Sequence, residues 1–480
     1  MRLSIGASAV DVALRLAAQM GSTVVIARLL SPEDFGLAIL VLSVVGVIGA
    51  LVGLPFEEAL AQRRRLSTAH LETTLFVSLL LAVGAVGIAF ASGPLLAHLA
   101  GIEAVAFWLP LATLFLVGQG PGTVARALAR RHERFVDLAI CQSVSTVIGC
   151  VVAVGFAVQG QGILALVLQR MLPIVLFPLL AMALATWHRR QVLVRPRWNR
   201  ARLDELFRFS WINLADVGVD YATPAVLTFL VNAHFGTAVL GQLNIAMRMV
   251  DPLRAAIGSV GHNIAFAMLM RMQGDPAKLG AATAGVVVNV AAFSVPAFLG
   301  LAVCAPILLP LLVGAGWGEA VPMARILCLM AAVSVPFRYF YSGYSALGRP
   351  EYGLWGSLLG LAAMILWIEF GAVAGAPGAV ATSLLVAEGV SAALAVALLL
   401  PLARHAARDA MIRMLRIWAA TVLMASSLHW IFLGENPQGG IELLLAMIAT
   451  GMLLYPLLLL AFCRDCFDRL RIAMFSGGRS

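Results

Sequence analysis

The sequence has few charged residues and no polar segment long enough to form a separate soluble domain. Only 12% of its 480 residues are Asp, Glu, Lys or Arg, whereas 61% are hydrophobic, so it lacks the polar surface that coats a soluble globule. It also lacks a Walker-type phosphate-binding motif, and its six cysteines and scattered histidines show no metal-ligand spacing. We therefore expect a membrane protein that uses no ATP, metal or other cofactor.

Apolar stretches of the length needed to cross a bilayer run through the whole chain. A transmembrane helix needs roughly 20 such residues, and short polar breaks divide the chain into about fourteen stretches. The predicted spans are 7–30, 36–56, 73–91, 105–125, 136–158, 162–186, 209–232, 239–269, 281–304, 322–343, 352–374, 377–401, 418–433 and 441–463. The prediction is an all-α polytopic protein with a six-helix bundle at 1–190, a basic cytoplasmic linker at 191–208, a second six-helix bundle at 209–403, and two further helices with a cytoplasmic tail at 404–480.

Positive charge is confined to one side of these spans. If the N-terminus is cytoplasmic, every basic residue outside the predicted spans falls in a cytoplasmic segment, as in the clusters 63–65, 126–134 and 189–208. Loops rich in Lys and Arg stay in the cytoplasm. Both termini are therefore predicted to be cytoplasmic. The net charge of +9 follows from topology and does not indicate nucleic-acid binding.

A weak internal repeat relates the two halves. A shift of 205 residues aligns Asp11 with Asp216, Gly36 with Gly241 and Gly53 with Gly258, although identity elsewhere is poor. An even number of crossings separates the copies, so both would enter the membrane in the same direction, as parallel halves.

Ionisable residues within the spans are the candidate functional groups, because a charge at the bilayer centre costs roughly 2.5 to 3.5 kcal/mol on insertion scales. Asp11 and Arg15 lie four residues apart and share a helix face. The other candidates are Asp216 and Asp220 on the seventh span, and Arg248, Asp251 and Arg254 at three-residue intervals on the eighth.

These residues allow two interpretations. Asp11 and Arg15 could form a neutral intrahelical pair, whereas the Arg248 stripe has a net positive charge that suits an anion. The four acids, Asp11, Asp216, Asp220 and Asp251, could couple transport to an ion or simply pair with arginines.

Four segments resemble the Wzx-type polysaccharide and oligosaccharide flippases. They are Arg28–Gly36, Gly53–Gln62, Gly160–Val167 and Leu206–Ser210, and the likeness is strongest in the first half. Within the first of them, Ser31 is predicted to cap a helix that starts at Pro32, with acids in its first turn. The resemblance implies the MATE-like fold of the MOP superfamily, with two pseudo-symmetric six-helix bundles and two added C-terminal helices.

The resemblance also implies a function. Such flippases move undecaprenyl-diphosphate-linked oligosaccharides from the cytoplasmic to the periplasmic leaflet of the bacterial inner membrane, so we expect alternating access in a transporter, not an enzyme. The family pattern places the first, second, seventh and eighth helices around a cleft, where Arg15, Arg248 and Arg254 would bind the diphosphate. The implied partners are the lipid-linked oligosaccharide, membrane lipid, and polysaccharide polymerase and export machinery.

Other functions remain open. The alternative is a MATE-like ion-coupled exporter of small organic molecules, which would share the architecture. A membrane polymerase or ligase is disfavoured because the outer connections are short and mostly apolar, and a non-transporting scaffold is a third possibility.

Overall fold

The structure, a computed structural model, is helical throughout the part of the chain that it describes. It describes residues 2–62, 66–132, 134–187, 195–270, 272, 275–346, 349, 351–371, 377–399, 404–434 and 440–465. These ranges contain helices joined by short connections and no β-strand. The predicted all-α class is confirmed.

The chain forms two compact units, of which the first is Met1–Gly241. Its helices are α1 (Arg2–Leu29), α2 (Pro32–Gln62), α3 (Thr68–Ala100), α4 (Ala104–Thr113), α5 (Gln119–Arg131), α6 (Phe135–Val158), α7 (Gly162–Trp187) and the first part of α8 (Arg200–Met270). Helix α1 packs against α6 and α7, and α2 packs against α4, α5 and α7. Its core is built from apolar side chains such as Phe35, Phe56 and Leu166.

The second unit is Gln242–Ser480. It contains the rest of α8, α9 (Pro276–Val313), α10 (Ala320–Ala346), α11 (Glu351–Leu366), α12 (Pro377–Leu399), α13 (Arg404–Leu428) and α14 (Ile441–Phe462). Helix α10 packs between α9 and α12, while α13 and α14 pack on α9. The Tyr455 hydroxyl of α14 donates to the Ala292 carbonyl of α9 at 2.7 Å, which fixes the last helix to the unit.

The predicted fourth span is not one regular helix. Helices α4 and α5 are joined by the 3₁₀ turn Leu114–Gly118, between Pro110 and Pro121. A proline has no N–H for the helical ladder, so two prolines in one short span favour such an irregularity. The combined segment, Ala104–Arg131, is still long and apolar enough to cross a membrane.

Helix α8 contains two spans, not one. Its 71 residues would extend about 105 Å as a straight helix, more than three times the roughly 30 Å hydrocarbon core. The backbone breaks at Gly236, where φ is 84° and ψ is 173°, a conformation that favours glycine. Thirteen segments of the described chain are long and apolar enough to span, and one of them, Ala222–Gly258, contains this break. If this segment is counted as two spans, the total is the predicted fourteen. The break at Gly236 lies in the predicted gap between residues 232 and 239.

The start of α2 has the predicted cap. Helix α2 begins at Pro32 and carries Glu33 and Asp34 in its first turn. The Ser31 hydroxyl oxygen accepts a hydrogen bond from the Asp34 backbone N–H at 3.2 Å, which satisfies one of the unpaired donors at a helix start.

The repeat-related glycines Gly36 and Gly241 form a close helix crossing inside the first unit. A Cβ on Gly36 would lie 1.9 Å from the Thr237 carbonyl oxygen, and a Cβ on Gly241 would lie 2.1 Å from the Pro32 carbonyl oxygen. The same 205-residue shift that relates the two glycines also relates Pro32 to Thr237. Equivalent positions of the two segments therefore contact each other reciprocally, as across a local two-fold axis. Only glycine allows the backbones this close.

The start of α8 docks on the first unit and holds part of the basic linker in place. Leu206 is buried among side chains that include Phe56 and Leu71. His70, buried on α3, lies with its Nε2 3.1 Å from a Glu205 carboxylate oxygen and its Nδ1 2.7 Å from the Ser67 hydroxyl. The helix begins at Arg200, so the segment predicted as linker at 191–208 is helical from that residue onward.

Candidate functional site

Asp11 forms a buried polar junction between α1 and α6. Its side chain is 8% exposed, and one carboxylate oxygen accepts a hydrogen bond from the Arg15 guanidinium at 2.8 Å. The other oxygen accepts one from the Ser143 hydroxyl at 2.6 Å. A buried carboxylate requires donors of this kind. The predicted intrahelical pair is therefore present, and it has an additional partner on α6.

Arg15 keeps hydrogen-bonding capacity after it pairs with Asp11. Its side chain is 31% exposed, and its buried Nε has no hydrogen-bond partner among the residues that the structure describes. A guanidinium has five N–H donors, and only one nitrogen is used in the pair with Asp11. The remaining donors can bind an anion such as a phosphate group.

A second polar contact fixes α1 to α7. The Gln169 side-chain amide donates to the Ser22 hydroxyl at 2.6 Å and to the Thr23 hydroxyl at 3.1 Å. All three side chains are buried. Sequence reasoning missed Ser143 and Gln169 because both are uncharged. A signal does exist, since uncharged polar residues in an apolar span usually bond across helices.

The Arg248, Asp251 and Arg254 stripe lies in the part of α8 that belongs to the second unit. Arg248 Nε donates to Asn244 Oδ1 at 3.0 Å. Arg254 Nε is 3.6 Å from Asp251 Oδ1, and the two side chains are 31% and 46% exposed. That separation is longer than a charge-assisted hydrogen bond of about 2.7 to 2.9 Å.

Arg254 also makes a weak contact with α10. Its Nη1 lies 3.9 Å from the Met330 sulfur of α10, and a thioether is a poor acceptor. Arg254 therefore lies near Asp251 and Met330 without a short charge-assisted hydrogen bond to either.

Asp216 and Asp220 remain predictions. Their backbone lies in α8, but their side chains are outside the described residues. Their proposed roles in ion coupling or in pairing with arginine thus rest on the sequence.

One further charged contact joins two helices of the second unit. Arg338 of α10 lies 3.7 Å from Glu388 of α12, and its side chain is 65% exposed. These residues are far apart in sequence, so no local spacing could have paired them. Across the described ranges, no group of three or more His, Cys, Asp or Glu side chains could hold a metal ion.

Sequence comparison decides the family. A family model described as "Polysaccharide biosynthesis protein" matches residues 25–322, which is more than half of the chain. The chain belongs to this polysaccharide biosynthesis protein family. The region matched by the family includes Arg248, Asp251 and Arg254, and it begins after Asp11 and Arg15.

One relative and two solved structures are similar to the chain. The chain is similar to the succinoglycan biosynthesis transport protein ExoT of Rhizobium meliloti (strain 1021), with 24% identity over 355 residues, or 73% of this chain and 70% of the relative. Its fold resembles that of the lipid II flippase MurJ in an inward closed conformation, with a TM-score of 0.75 at 13% identity over 97% of this chain and 99% of the other.

An inward-facing multidrug resistance MATE family transporter of the MOP superfamily gives a TM-score of 0.56 at 16% identity, over 84% of this chain and 95% of the other. The MATE-like fold that the resemblance implied is confirmed. This member of the polysaccharide biosynthesis protein family is a multi-pass membrane protein with the MATE-like fold.

Proposed function

We propose that the chain flips an undecaprenyl-diphosphate-linked oligosaccharide from the cytoplasmic to the periplasmic leaflet of the bacterial inner membrane. Membership of the polysaccharide biosynthesis protein family supports a polysaccharide precursor as the substrate class. Similarity to a succinoglycan transport protein and to the fold of a lipid II flippase supports transport of a lipid-linked sugar.

The stripe of Arg248, Asp251 and Arg254 on α8 is the observation that carries this proposal. Arg248 and Arg254 accompany a single acid, Asp251, from which Arg254 is 3.6 Å away. Guanidinium groups keep their charge and bind phosphate oxygens in a forked geometry, so the stripe suits a diphosphate. The same charge repels organic cations, which disfavours the MATE-like export of such molecules.

Arg15 is the third proposed ligand of the diphosphate. Its pair with Asp11 at 2.8 Å holds the side chain in a defined position and leaves other N–H groups for an anion. For Asp11 and Asp251 we propose a role in positioning these arginines. Asp216 and Asp220 are proposed either to pair with arginines or to couple transport to an ion.

The proposed transport needs no ATP. An anion that leaves a negative-inside cell gains about 2.3 kcal/mol per charge per 100 mV, so the membrane potential favours outward movement of a diphosphate. Transporters built from repeated bundles work by alternating access, and we propose the same here. Polysaccharide polymerase and export machinery would then consume the sugar outside.

Single substitutions of Arg15, Arg248 and Arg254 by Ala test the proposal. Each should reduce polysaccharide export roughly 10- to 150-fold, because it removes one charge-assisted contact of roughly 1.5 to 3 kcal/mol. Surface polysaccharide and the amount of protein in the membrane are measured together. Arg170→Ala is the matched control, since Arg170 is exposed on α7 and should leave export unchanged.

Two outcomes would contradict the proposal. Full export by the triple Ala variant would mean that these arginines do not bind the substrate. If cells that lack the gene keep their surface polysaccharide and become more sensitive to drugs, the chain is the MATE-like exporter instead.

A further inference from the structure

A cavity in the first unit is separate from the proposed diphosphate ligands. It has a volume of about 650 Å³ and lies among α3, α5, α6 and α7. Ligand sites typically measure about 300 to 1,000 Å³, so the volume is sufficient for a sizeable molecule. Neither Asp11 nor Arg15 lines it.

Apolar side chains of several sizes, from alanine to phenylalanine, form most of the wall of this cavity. Pro121, Ala125 and Ala129 line it from α5, and Phe177 and Ala181 line it from α7. Because residues four apart share a helix face, each set presents one continuous surface. The alanines leave open a space that larger side chains would fill.

Part of the cavity lining is polar and carries arginine. His132, Arg134 and Asp137 form this part, where α5 ends and α6 begins. Arg134 is paired with Asp137 at 2.6 Å, but its guanidinium has five N–H donors and can bind a second anion. About two turns earlier on α5, the Arg126 guanidinium lies over the Phe177 ring, 5.5 Å from its centroid.

The charge bias predicts where this polar part of the lining lies in the membrane. It directly follows Arg130 and Arg131 in the sequence, at an end of the helices that the positive-inside rule assigns to the cytoplasm. The cytoplasmic leaflet contains anionic lipids, which attract basic residues within about 10 Å. Met182, which lines the cavity, is 63% exposed and belongs to a candidate membrane span, so we expect lipid to reach this side of the cavity.

We propose that this cavity binds an anionic phospholipid of the cytoplasmic leaflet. An acyl chain lies between α5, α6 and α7, and the phosphate contacts Arg134. Apolar walls offer water no hydrogen-bond partners, so an acyl chain fills the space better than water does. Basic pockets between helices on the cytoplasmic side bind headgroups of this type. The site holds a resident lipid and does not depend on which substrate the chain transports.

Opposite effects of two substitutions test the headgroup contact. The purified full chain is titrated with phosphatidylglycerol, and retained lipid is counted by native mass spectrometry. Arg134→Gln should weaken binding about fivefold, the effect of one basic residue near anionic lipid. Asp137→Asn should strengthen it by a similar factor, because the competing carboxylate is gone. If the pair has only a structural role, both variants change lipid binding in the same direction, and the proposal is wrong.

A cavity-filling substitution tests the acyl-chain contact. Ala129→Phe should abolish retention of phosphatidylglycerol, whereas Ala91→Phe, at an exposed alanine of α3, should not. Phosphatidylethanolamine should be retained less well, and inorganic phosphate should not compete. Undiminished retention by Ala129→Phe, equal retention of both lipids, or competition by inorganic phosphate would each overturn the proposal.

Discussion

Gly36→Ala should loosen the crossing between the start of α2 and the residues of α8 that directly follow the break at Gly236. The added Cβ would lie 1.9 Å from the Thr237 carbonyl oxygen, whereas ordinary contacts begin at 3.4 Å. The two backbones must therefore separate by roughly 1.5 Å, the difference between these two distances. Forcing extra volume into a packed interior typically costs about 1 to 3 kcal/mol, and the obstacle here is backbone, which cannot rotate away. We therefore expect Gly36→Ala to lower the free energy of unfolding by about 1 to 3 kcal/mol.

The assay is unfolding of the purified protein in mixed micelles, followed by far-ultraviolet circular dichroism. Gly46→Ala is the matched control, because it lies in the same helix with nothing within 4 Å of the added Cβ. It should be neutral or stabilising by about 0.5 to 1 kcal/mol. Gly241→Ala should act like Gly36→Ala, and the double variant should lose less than the sum, because both changes act on one crossing. Equal stability of Gly36→Ala and Gly46→Ala would refute the reasoning.

Two further predictions concern polar contacts in the first unit. Ser143→Ala should lower the free energy of unfolding by about 1 to 3 kcal/mol in the same assay, because it leaves a buried Asp11 oxygen without its donor. Ser145→Ala is the control and should cost much less, because the Ser145 hydroxyl donates to a carbonyl within α6. A similar loss for both variants would contradict the role given to the Ser143–Asp11 hydrogen bond. His70→Ala should free the start of α8 and increase trypsin cleavage in the basic linker. His98→Ala, at an exposed histidine of α3, is the control and should leave cleavage unchanged. Unchanged cleavage of the His70→Ala variant would show that His70 does not hold the linker.

Much of the fold could be predicted because hydropathy and charge bias are read from consecutive residues and do not require knowledge of which distant residues touch. A stretch of apolar residues reports a span whatever its neighbours are, which is why the gap around Gly236 was found although the helix continues on both sides. The interruption after Thr113 was missed, since a short 3₁₀ turn changes neither hydropathy nor length. The helix that begins at Arg200 was missed as well, because its stability comes from packing on α3.

The candidate site could be predicted only where local spacing carries the information. Asp11 and Arg15 are four residues apart, so their contact follows from helix geometry. Ser143 is distant in sequence and uncharged, and nothing in the order of residues assigns it to Asp11. The repeat aligned Gly36 with Gly241, but alignment alone does not say that equivalent residues touch.

The polar contacts of α1 limit how that helix can move. Asp11 is bound through both of its oxygens, and Ser22 is held by Gln169 more than two turns further along. Turning α1 about its own axis would break both attachments at once and leave buried groups unpaired. During a conformational cycle, α1 should thus travel with α6 and α7 as a rigid body, and a force exerted on Arg15 would be transmitted to all three helices.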